Sequence, residues 1–385
     1  MAWTKYQKLL ALLMVITGSI NTLATKWADM LSSTNSVGEW KPFNHPFLQA
    51  SGMFLGELSC LLVFKLMVCW SKRKALHNEY TEIGASKFNP VIFLAPALCD
   101  MTATSLMYVG LNLTYASSFQ MLRGAIIVFT GLLSVAFLDR QLKKLEWSGI
   151  FVVILGLLCV GLSDVIYPSK TNDYSPNSII TGDLLIIMAQ IIGATQMVVE
   201  EKFVSKYNVP PLQGVGWEGF FGFTILTILL IPMYYIKVGH SIFDNPHGSM
   251  EDAIDGLIQM RNSWQVSTAV AGTIISIAFF NFAGLSVTKE MSATTRMVLD
   301  SVRTFVVWIF SLAIQWQTFS WLQLLGFIIL LAGMCLYNDV ILRPLYEKLR
   351  DKYRQRFRKN EYEPLLRNTD EESESPRVKT GSINA

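Results

Sequence analysis

The charged residues of this 385-residue chain are bunched, and between them run stretches of about 20 residues with almost no charge. An α-helix rises 1.5 Å per residue, so about 20 residues cross a hydrocarbon core of about 30 Å. Charged residues make up 16% of the chain, against about 25% in soluble domains. The pattern excludes a soluble globular domain. The net charge is only +3, and the basic residues are scattered among apolar runs. These two observations exclude a nucleic-acid-binding surface as the main function.

Hydropathy predicts an all-α polytopic membrane protein with ten transmembrane helices. The predicted spans are residues 9–26, 47–68, 91–110, 117–138, 147–166, 183–200, 214–236, 266–286, 294–315 and 321–340. Ten spans put both termini on one side of the membrane. The short loops assigned to the cytosol hold twelve Lys and Arg residues and the opposite loops hold four, with Lys26 at the border. The positive-inside rule therefore places both termini in the cytosol.

The chain resembles itself when it is shifted by 177 residues. This shift superimposes residues 116–118 on 293–295, Gly149 on Gly326 and Gly156 on Gly333. The matching elements lie five spans apart, and because five is odd, the second copy is inverted in the membrane. We expect a first five-helix repeat at 1–166, a linker at 167–182, a second repeat at 183–340 and a disordered cytosolic tail at 341–385. Inverted repeats allow one central site to open alternately to each side.

Polar and ionisable side chains inside the spans are costly in lipid, so they face protein or water. We predict that they line a central substrate cavity. The predicted cavity residues are Asn21, Glu57, Asp100, Gln120, Arg123, Gln196, Glu218, Asn281, Asp300 and Arg303. Glu57, Asp100 and Glu218 each have two interpretations, as a proton site in a low dielectric or as the partner of an arginine.

The arginines also have alternative interpretations. Arg123 could hold a phosphate or carboxylate in two-point fashion, or it could form an interhelical ion pair or reach the membrane interface. Arg296, Asp300 and Arg303 follow one stripe of one helix, where either arginine could neutralise Asp300. Arg303 lies nearer the membrane midplane, and we expect it to be the more central contact.

Four smaller features complete the sequence-based picture. Glycines that fit close helix packing occur at Gly52, Gly56, Gly149, Gly156, Gly216, Gly219 and Gly222. A short interfacial helix, capped by Ser249, is expected in the loop between spans seven and eight. The five cysteines lie in or beside apolar stretches without metal-ligand spacing, so we predict neither a metal site nor a cofactor. The glycosylation triplet at Asn112 lies in a short loop, and we expect it to be unused.

The tail carries a sorting pattern. Glu361, Leu365 and Leu366 form E-x-x-x-L-L, which resembles the acidic dileucine signals that clathrin adaptors read. We therefore predict an endosomal or lysosomal membrane, with Golgi and mitochondrial membranes as alternatives. The eight basic residues of 343–359 suit the anionic cytosolic leaflet.

Several segments carry a family resemblance. TYASSFQMLRGA at 114–125 enters span four and SATTRMVLDSVR at 292–303 enters span nine, while HPFLQA and GDLLIIMAQII occur at 45–50 and 182–192. Together with the ten spans, these segments resemble the drug/metabolite transporter superfamily and, within it, the F branch of solute carrier family 35. The resemblance covers residues 1 to about 340. It implies a multi-spanning carrier of endomembranes, similar to nucleotide-sugar transporters. The resemblance indicates the fold more specifically than it indicates the transported solute.

The leading hypothesis is a secondary transporter that moves a small, anionic organic solute by alternating access, with nucleotide sugars as the class that the resemblance implies. The alternative is a transport-inactive membrane scaffold that acts through its loops or tail. We do not predict an enzyme, because all four histidines fall in predicted loops and the chain shows no nucleophile elbow or phosphate-binding loop.

Overall fold

The computed structural model describes residues 3–75, 88–114, 119, 121–138, 141–166, 176–238, 245–314 and 321–337. Within these residues the fold is helical apart from one antiparallel hairpin. The helices are α1 (Lys5–Met30), α2 (Pro46–Ala75), α3 (Leu94–Leu113), α4 (Ile126–Phe137), α5 (Lys144–Ile166), α6 (Pro176–Tyr207), α7 (Pro211–Tyr235), α8 (Ala253–Asn262), α9 (Trp264–Glu290), α10 (Ala293–Ala313) and α11 (Trp321–Tyr337). Strands β1 (Ser32–Thr34) and β2 (Trp40–Pro42) form the hairpin, and 3-10 turns cover Pro90–Phe93 and Arg123–Ala125.

Six helical segments in the described part of the chain are long and apolar enough to cross a membrane. They are Lys5–Met30, Pro46–Ser71, Pro90–Gly110, Asn177–Tyr207, Pro211–Tyr235 and Trp264–Glu290. Two shorter apolar helices cover Arg123–Phe137 and Leu324–Tyr337. Helix α10 has 21 residues, but Arg296, Asp300 and Arg303 interrupt its apolar sequence. The chain is thus a predominantly α-helical, multi-pass membrane protein.

Several helices differ in extent from the predicted spans. Helix α6 begins at Pro176, inside the predicted linker, with proline in the first turn, where its missing N–H costs nothing. The Ser178 hydroxyl donates to the Leu113 carbonyl at 3.1 Å, and the Thr114 hydroxyl donates to Asp183 at 2.7 Å. Hydropathy misses this polar first part of α6, because polar contacts with the end of α3 hold it.

The helix in the loop between α7 and α9 is present, but the predicted cap is wrong. Helix α8 starts at Ala253, and the Asp252 carboxylate accepts from the Asp255 backbone N–H at 3.0 Å. Ser249 is instead buried, and its backbone N–H donates to the Asn245 side chain at 2.9 Å. Helix α8 therefore starts later because Asp252 supplies the cap and Ser249 is held by Asn245.

The long helices pack in four principal pairs: α1 with α9, α2 with α7, α3 with α6, and α5 with α11. Glycines permit the closest approaches, as predicted. A Cβ added at Gly56 would lie 2.2 Å from the Ile274 carbonyl oxygen, and one at Gly149 would lie 2.4 Å from the Tyr337 nitrogen. At these positions the backbone of one helix occupies the space that a side chain on the other would need.

Replacing Gly219 by alanine should destabilise the α2–α7 pair. The new Cβ would lie 2.3 Å from the Leu58 nitrogen, which is backbone and cannot rotate away. We expect Gly219→Ala to lower the free energy of unfolding in detergent by about 1–3 kcal/mol.

Gly272→Ala is the matched control for that experiment. The contact nearest its Cβ, with Ala24 Cβ, is at an ordinary 3.7 Å. Alanine also has the higher helix propensity, so this variant should be unchanged or up to about 1 kcal/mol more stable. Equal losses in the two variants would show that backbone proximity is not the cause.

A polar cap, formed by the β1–β2 hairpin, His45, residues 245–252 and α8, joins the loop after α1 to the loop after α7. His45 Nδ1 lies 2.8 Å from Glu251 Oε1, and His45 Nε2 lies 3.6 Å from Asp255 Oδ2. The Ser36 N–H donates to Asp255 at 2.6 Å, and the Ser33 hydroxyl donates to the Gln259 carbonyl at 2.9 Å. These contacts place both loops on the same side of the helix bundle.

The charges of the polar cap depend on one another. Burial lowers the pKa of His45, but the Asp255 and Glu251 carboxylates outweigh it and raise the pKa to about 9. Burial raises the pKa of Asp255, but the hydrogen bonds with His45 and Ser36 outweigh it and lower the pKa to about 2. The His45 imidazolium and the Asp255 carboxylate are therefore both charged over a wide pH range.

This pairing predicts a pH dependence of stability. The His45 contribution is complete below the ordinary pKa of 6.5 and is lost as the pH rises through about 9. The Asp255 contribution is complete above 3.8 and is lost only as the pH falls through about 2. We expect the melting temperature of the purified protein to fall from pH 6.5 to pH 9, and His45→Gln to remove that fall. An unchanged slope in His45→Gln would contradict the assignment.

Candidate solute-binding cavity

A cavity of about 280 Å³ lies between helices from both ends of the chain. Helices α1, α2, α3, α4, α6, α9 and α10 contribute to its wall. The ionisable and amide residues of the wall are Asn21, Lys26, Asp29, Glu57, Asp100, Tyr108, Arg123, Gln190, Gln196, Asn281, Arg296, Asp300 and Arg303. Its volume is close to the lower end of the range for small-molecule sites, about 300 Å³.

Arg123 presents a guanidinium to the cavity. It lies in the 3-10 turn Arg123–Ala125, is half-buried, and has its Cζ 5.9 Å from the centre of the Phe119 ring. In the part of the chain that the structure describes, no carboxylate lies within ion-pair distance of Arg123. A guanidinium in this setting is suited to bind a carboxylate or phosphate group.

Arg303 is held by several neighbours. Its Nη2 lies 2.8 Å from Asp300 Oδ1, and its Nη1 donates to the Thr22 hydroxyl at 3.1 Å. Its Cζ lies 4.8 Å from the centre of the Phe280 ring. A Cβ on Gly18 would lie 2.4 Å from Arg303 Cδ, so the glycine makes the room for this side chain. Arg303 is thus less free to bind a solute than Arg123.

A second set of charges surrounds Arg296. Its Nη1 donates to Glu200 on α6 in a buried ion pair. Across the wall, the Asn281 amide donates to the Glu57 carboxylate, and the Thr104 hydroxyl donates to Asp100 at 3.3 Å. The cavity wall therefore combines a half-buried arginine with buried carboxylates.

The start of α10 fixes the position of Arg296. The Ser292 hydroxyl caps the helix by accepting from the Thr295 N–H at 3.1 Å, and Glu201 accepts from the Ala293 N–H at 3.0 Å. Arg296 follows one turn later, beside Gly284, where a Cβ would lie 2.8 Å from the guanidinium Nε. Local capping and a small neighbour thus orient the arginine toward Glu200.

The structure brings eight of the ten predicted residues to the cavity wall: Asn21, Glu57, Asp100, Arg123, Gln196, Asn281, Asp300 and Arg303. Glu218 is buried and interacts electrostatically with Glu57 and Arg296, but it is not part of the wall. Gln120 and the tail residues Glu361, Leu365 and Leu366 lie outside the described residues.

Sequence reasoning missed three charged residues of this region. Lys26 and Asp29 line the cavity, but Lys26 lies at the border of the first predicted span and Asp29 lies three residues beyond its end. Glu200, the partner of Arg296, is the last residue of the sixth predicted span. The available signal was a charge within one turn of a span boundary, because helices extend past their most apolar part.

Comparisons with known proteins identify the family. The sequence profile of solute carrier family 35, SLC35F, matches residues 10–339. Solute carrier family 35 member F6 of Homo sapiens is 56% identical over 370 residues, which cover 96% of this chain and 98% of that protein. The UDP-galactose transporter of Schizosaccharomyces pombe is 24% identical over 311 residues, which cover 77% and 80%.

A solved crystal structure has a similar fold. It covers 87% of this chain and 98% of its own, with 12% sequence identity and a TM-score of 0.54. At this identity the likeness shows the fold alone. The profile match and the near full-length human relative show that the chain belongs to solute carrier family 35, a family of membrane transporters.

Proposed function

We propose that the protein is a secondary transporter that moves a small organic solute with an anionic group across an endomembrane by alternating access. The observation that carries this proposal is Arg123, a half-buried guanidinium on the cavity wall without a carboxylate partner among the described residues. Charge-assisted hydrogen bonds to a carboxylate or phosphate would satisfy its donors. The yeast relative is named a UDP-galactose transporter, and this supports phosphate-bearing solutes as the first class to test.

The pairing of helices supports ten spans and an inverted repeat. Helices α1 to α5 belong to the first proposed repeat, and α6, α7, α9, α10 and α11 belong to the second. In chain order, α1 is then equivalent to α6, α2 to α7, α3 to α9 and α5 to α11. When each helix is replaced by its equivalent, the α1–α9 pair becomes the α6–α3 pair, and the α2–α7 and α5–α11 pairs are unchanged. A pseudo-two-fold axis through the cavity would produce this pattern, and it is the arrangement on which alternating access relies.

Contacts between loops support the proposed orientation. The loops after the first and seventh spans were both assigned to the non-cytosolic side, and the polar cap joins them. On the opposite side, the Gln7 side chain contacts the Glu290 carbonyl at 3.4 Å, and Glu201 contacts the Ala293 N–H. These segments were all assigned to the cytosol, as were both termini.

The cellular location is proposed from the tail alone. The pattern at Glu361, Leu365 and Leu366 favours an endosomal or lysosomal membrane and a clathrin adaptor as the partner that reads it. Golgi and mitochondrial membranes are the alternatives. Family membership favours transport over the scaffold hypothesis.

A binding screen tests the proposed function. Purified full-length protein is melted in the presence of nucleotides, nucleotide sugars, amino acids and neutral sugars, because a solute that binds the folded state raises its apparent stability. We expect an anionic solute, with UDP-galactose as the first probe, to raise the melting temperature and to enter proteoliposomes. Stabilisation by neutral sugars alone, or equal stabilisation of Arg123→Ala, would overturn the proposal of an anion site.

A further inference from the structure

Four carboxyl side chains from four helices lie together beside the cavity. Glu57 is on α2, Asp100 on α3, Glu200 on α6 and Glu218 on α7, and all four interact electrostatically with one another. Glu57 and Asp100 line the cavity, whereas Glu200 and Glu218 lie behind its wall. The backbones are close here, because a Cβ on Gly219 would lie 2.6 Å from Glu57 Cβ. We call these four residues the acidic cluster.

The positive charge around the acidic cluster is too small to balance it. Among the described residues, Arg296 is the cation that interacts with all four carboxyls, and it forms its ion pair with Glu200. Arg296 also interacts with Asp300, whose own ion pair is with Arg303. Four ionised carboxylates against one guanidinium would leave a net charge of −3, which is strongly unfavourable away from water.

A second observation points to a missing ligand. Glu218 is 7% exposed, and its Oε1 atom has no hydrogen-bond partner among the described residues. Glu200 is 1% exposed, and its Oε1 also lacks a partner there. Carboxylates only accept hydrogen bonds, so two neighbouring carboxylates cannot satisfy each other. A proton on the buried Glu218 would turn an unsatisfied acceptor into an O–H donor.

The chemistry favours a proton over a metal ion. No group of three or more His, Cys, Asp or Glu side chains in the described ranges has the convergent arrangement that a metal needs. A proton requires one oxygen atom and no coordination shell. Among the described residues, the Cys60 and Cys99 thiols also interact electrostatically with members of the acidic cluster, and a thiol carries no charge.

We propose that the acidic cluster is a proton-binding site which exchanges protons with the cavity and couples them to solute movement. The inference rests on the proposed transport function. Binding converts one carboxylate and one proton into a neutral carboxyl, with no other bond made or broken. Because Glu57 and Asp100 belong to the first proposed repeat and Glu200 and Glu218 to the second, each proton changes the electrostatic interaction between the two repeats. Such a change can favour one of the two orientations of the cavity.

Infrared spectroscopy tests the proton site without requiring a known solute. A protonated carboxyl has a C=O stretching band that a carboxylate lacks, and the band shifts in deuterated water. We expect full-length protein in liposomes to show this band at neutral pH, and Glu57→Gln and Glu218→Gln to lose part of its intensity. Glu39→Gln changes an exposed carboxylate of the hairpin loop and should leave the band unchanged.

A labelling experiment tests the coupling. Thr25 lines the cavity, and a cysteine there (Thr25→Cys) reports on access by a membrane-impermeant maleimide. We divide its labelling rate by that of an exposed reference cysteine (Glu39→Cys), because this cancels the pH dependence of thiolate formation. We expect this ratio to differ several-fold between acidic and neutral pH, and Glu218→Gln to remove the difference. Absence of the band overturns the proton site, and stabilisation by sodium ions instead would assign the acidic cluster to a metal cation. A band together with a pH-independent labelling ratio overturns the coupling. Loss of solute binding in the Arg123 variant bears only on the transport proposal.

Discussion

Arg123→Ala is expected to abolish solute uptake in proteoliposomes while leaving the protein folded. The guanidinium faces the cavity and has no ion-pair partner in the described part of the chain, so its removal leaves no carboxylate unpaired. Hydrogen bonds to charged groups contribute about 1.5–3 kcal/mol, so we expect solute binding to weaken by about 10- to 100-fold. Uptake of the solute found in the binding screen measures the first effect, and a melting-temperature titration measures the second.

Two further variants make this result specific. Arg261→Ala removes an exposed arginine of α8, away from the cavity, and should leave binding and uptake unchanged. Arg123→Lys keeps the charge but loses the planar two-point geometry, and it should retain only part of the affinity. Full uptake in Arg123→Ala protein that reaches the membrane would remove Arg123 from the proposed binding site.

Arg296→Ala is expected to have the largest effect on stability. Arg296 is buried in an ion pair with Glu200, and its loss leaves the carboxylates of the acidic cluster without their cation. Removing one partner of a buried pair costs about 3–5 kcal/mol, because the remaining charge stays buried and uncompensated. The free energy of unfolding in detergent measures the loss. The defect should be smaller at acidic pH, where protons replace the missing positive charge.

A double variant and a surface control define the origin of that effect. Arg296→Gln combined with Glu200→Gln removes both charges of the pair and should recover much of the stability lost in Arg296→Gln alone. Lys65→Ala removes an exposed cation 5.9 Å from the Trp217 ring and should cost under about 1 kcal/mol. If the double variant were as unstable as the sum of its two single variants, the ion pair would not explain the loss.

The sequence predicted the class of fold because hydropathy is a local property. The composition of an apolar run such as residues 47–68 is enough to predict a membrane span. The alternation of apolar spans with polar loops can therefore be read directly from the sequence. It also identified eight of the polar residues on the cavity wall, since a residue such as Asn281 or Glu57 in an apolar helix must face protein or water. In the structure Asn281 on α9 donates a hydrogen bond to Glu57 on α2, a pairing that the chain order does not suggest.

Pairings between distant helices could not be predicted in this way. Arg296 and Glu200 are on α10 and α6, and the sequence offered Asp300 as an equally good partner one turn away. The structure gives Asp300 to Arg303 instead. The choice depends on where α6 ends relative to α10, which hydropathy leaves uncertain by a few residues. The cap of α8 was misplaced because two acceptable capping residues, Ser249 and Asp252, lie three positions apart in the sequence.

The four principal helix pairs have a consequence for biosynthesis. Helices α1, α2 and α3 each find their main partner among α9, α7 and α6, and α5 finds its partner in α11. During synthesis, α1, α2, α3 and α5 therefore enter the bilayer before their main partners exist, and their contact surfaces face lipid until the later helices emerge from the ribosome. Each half made alone should be a substrate for membrane quality control, and the two halves made as separate chains should protect one another from degradation.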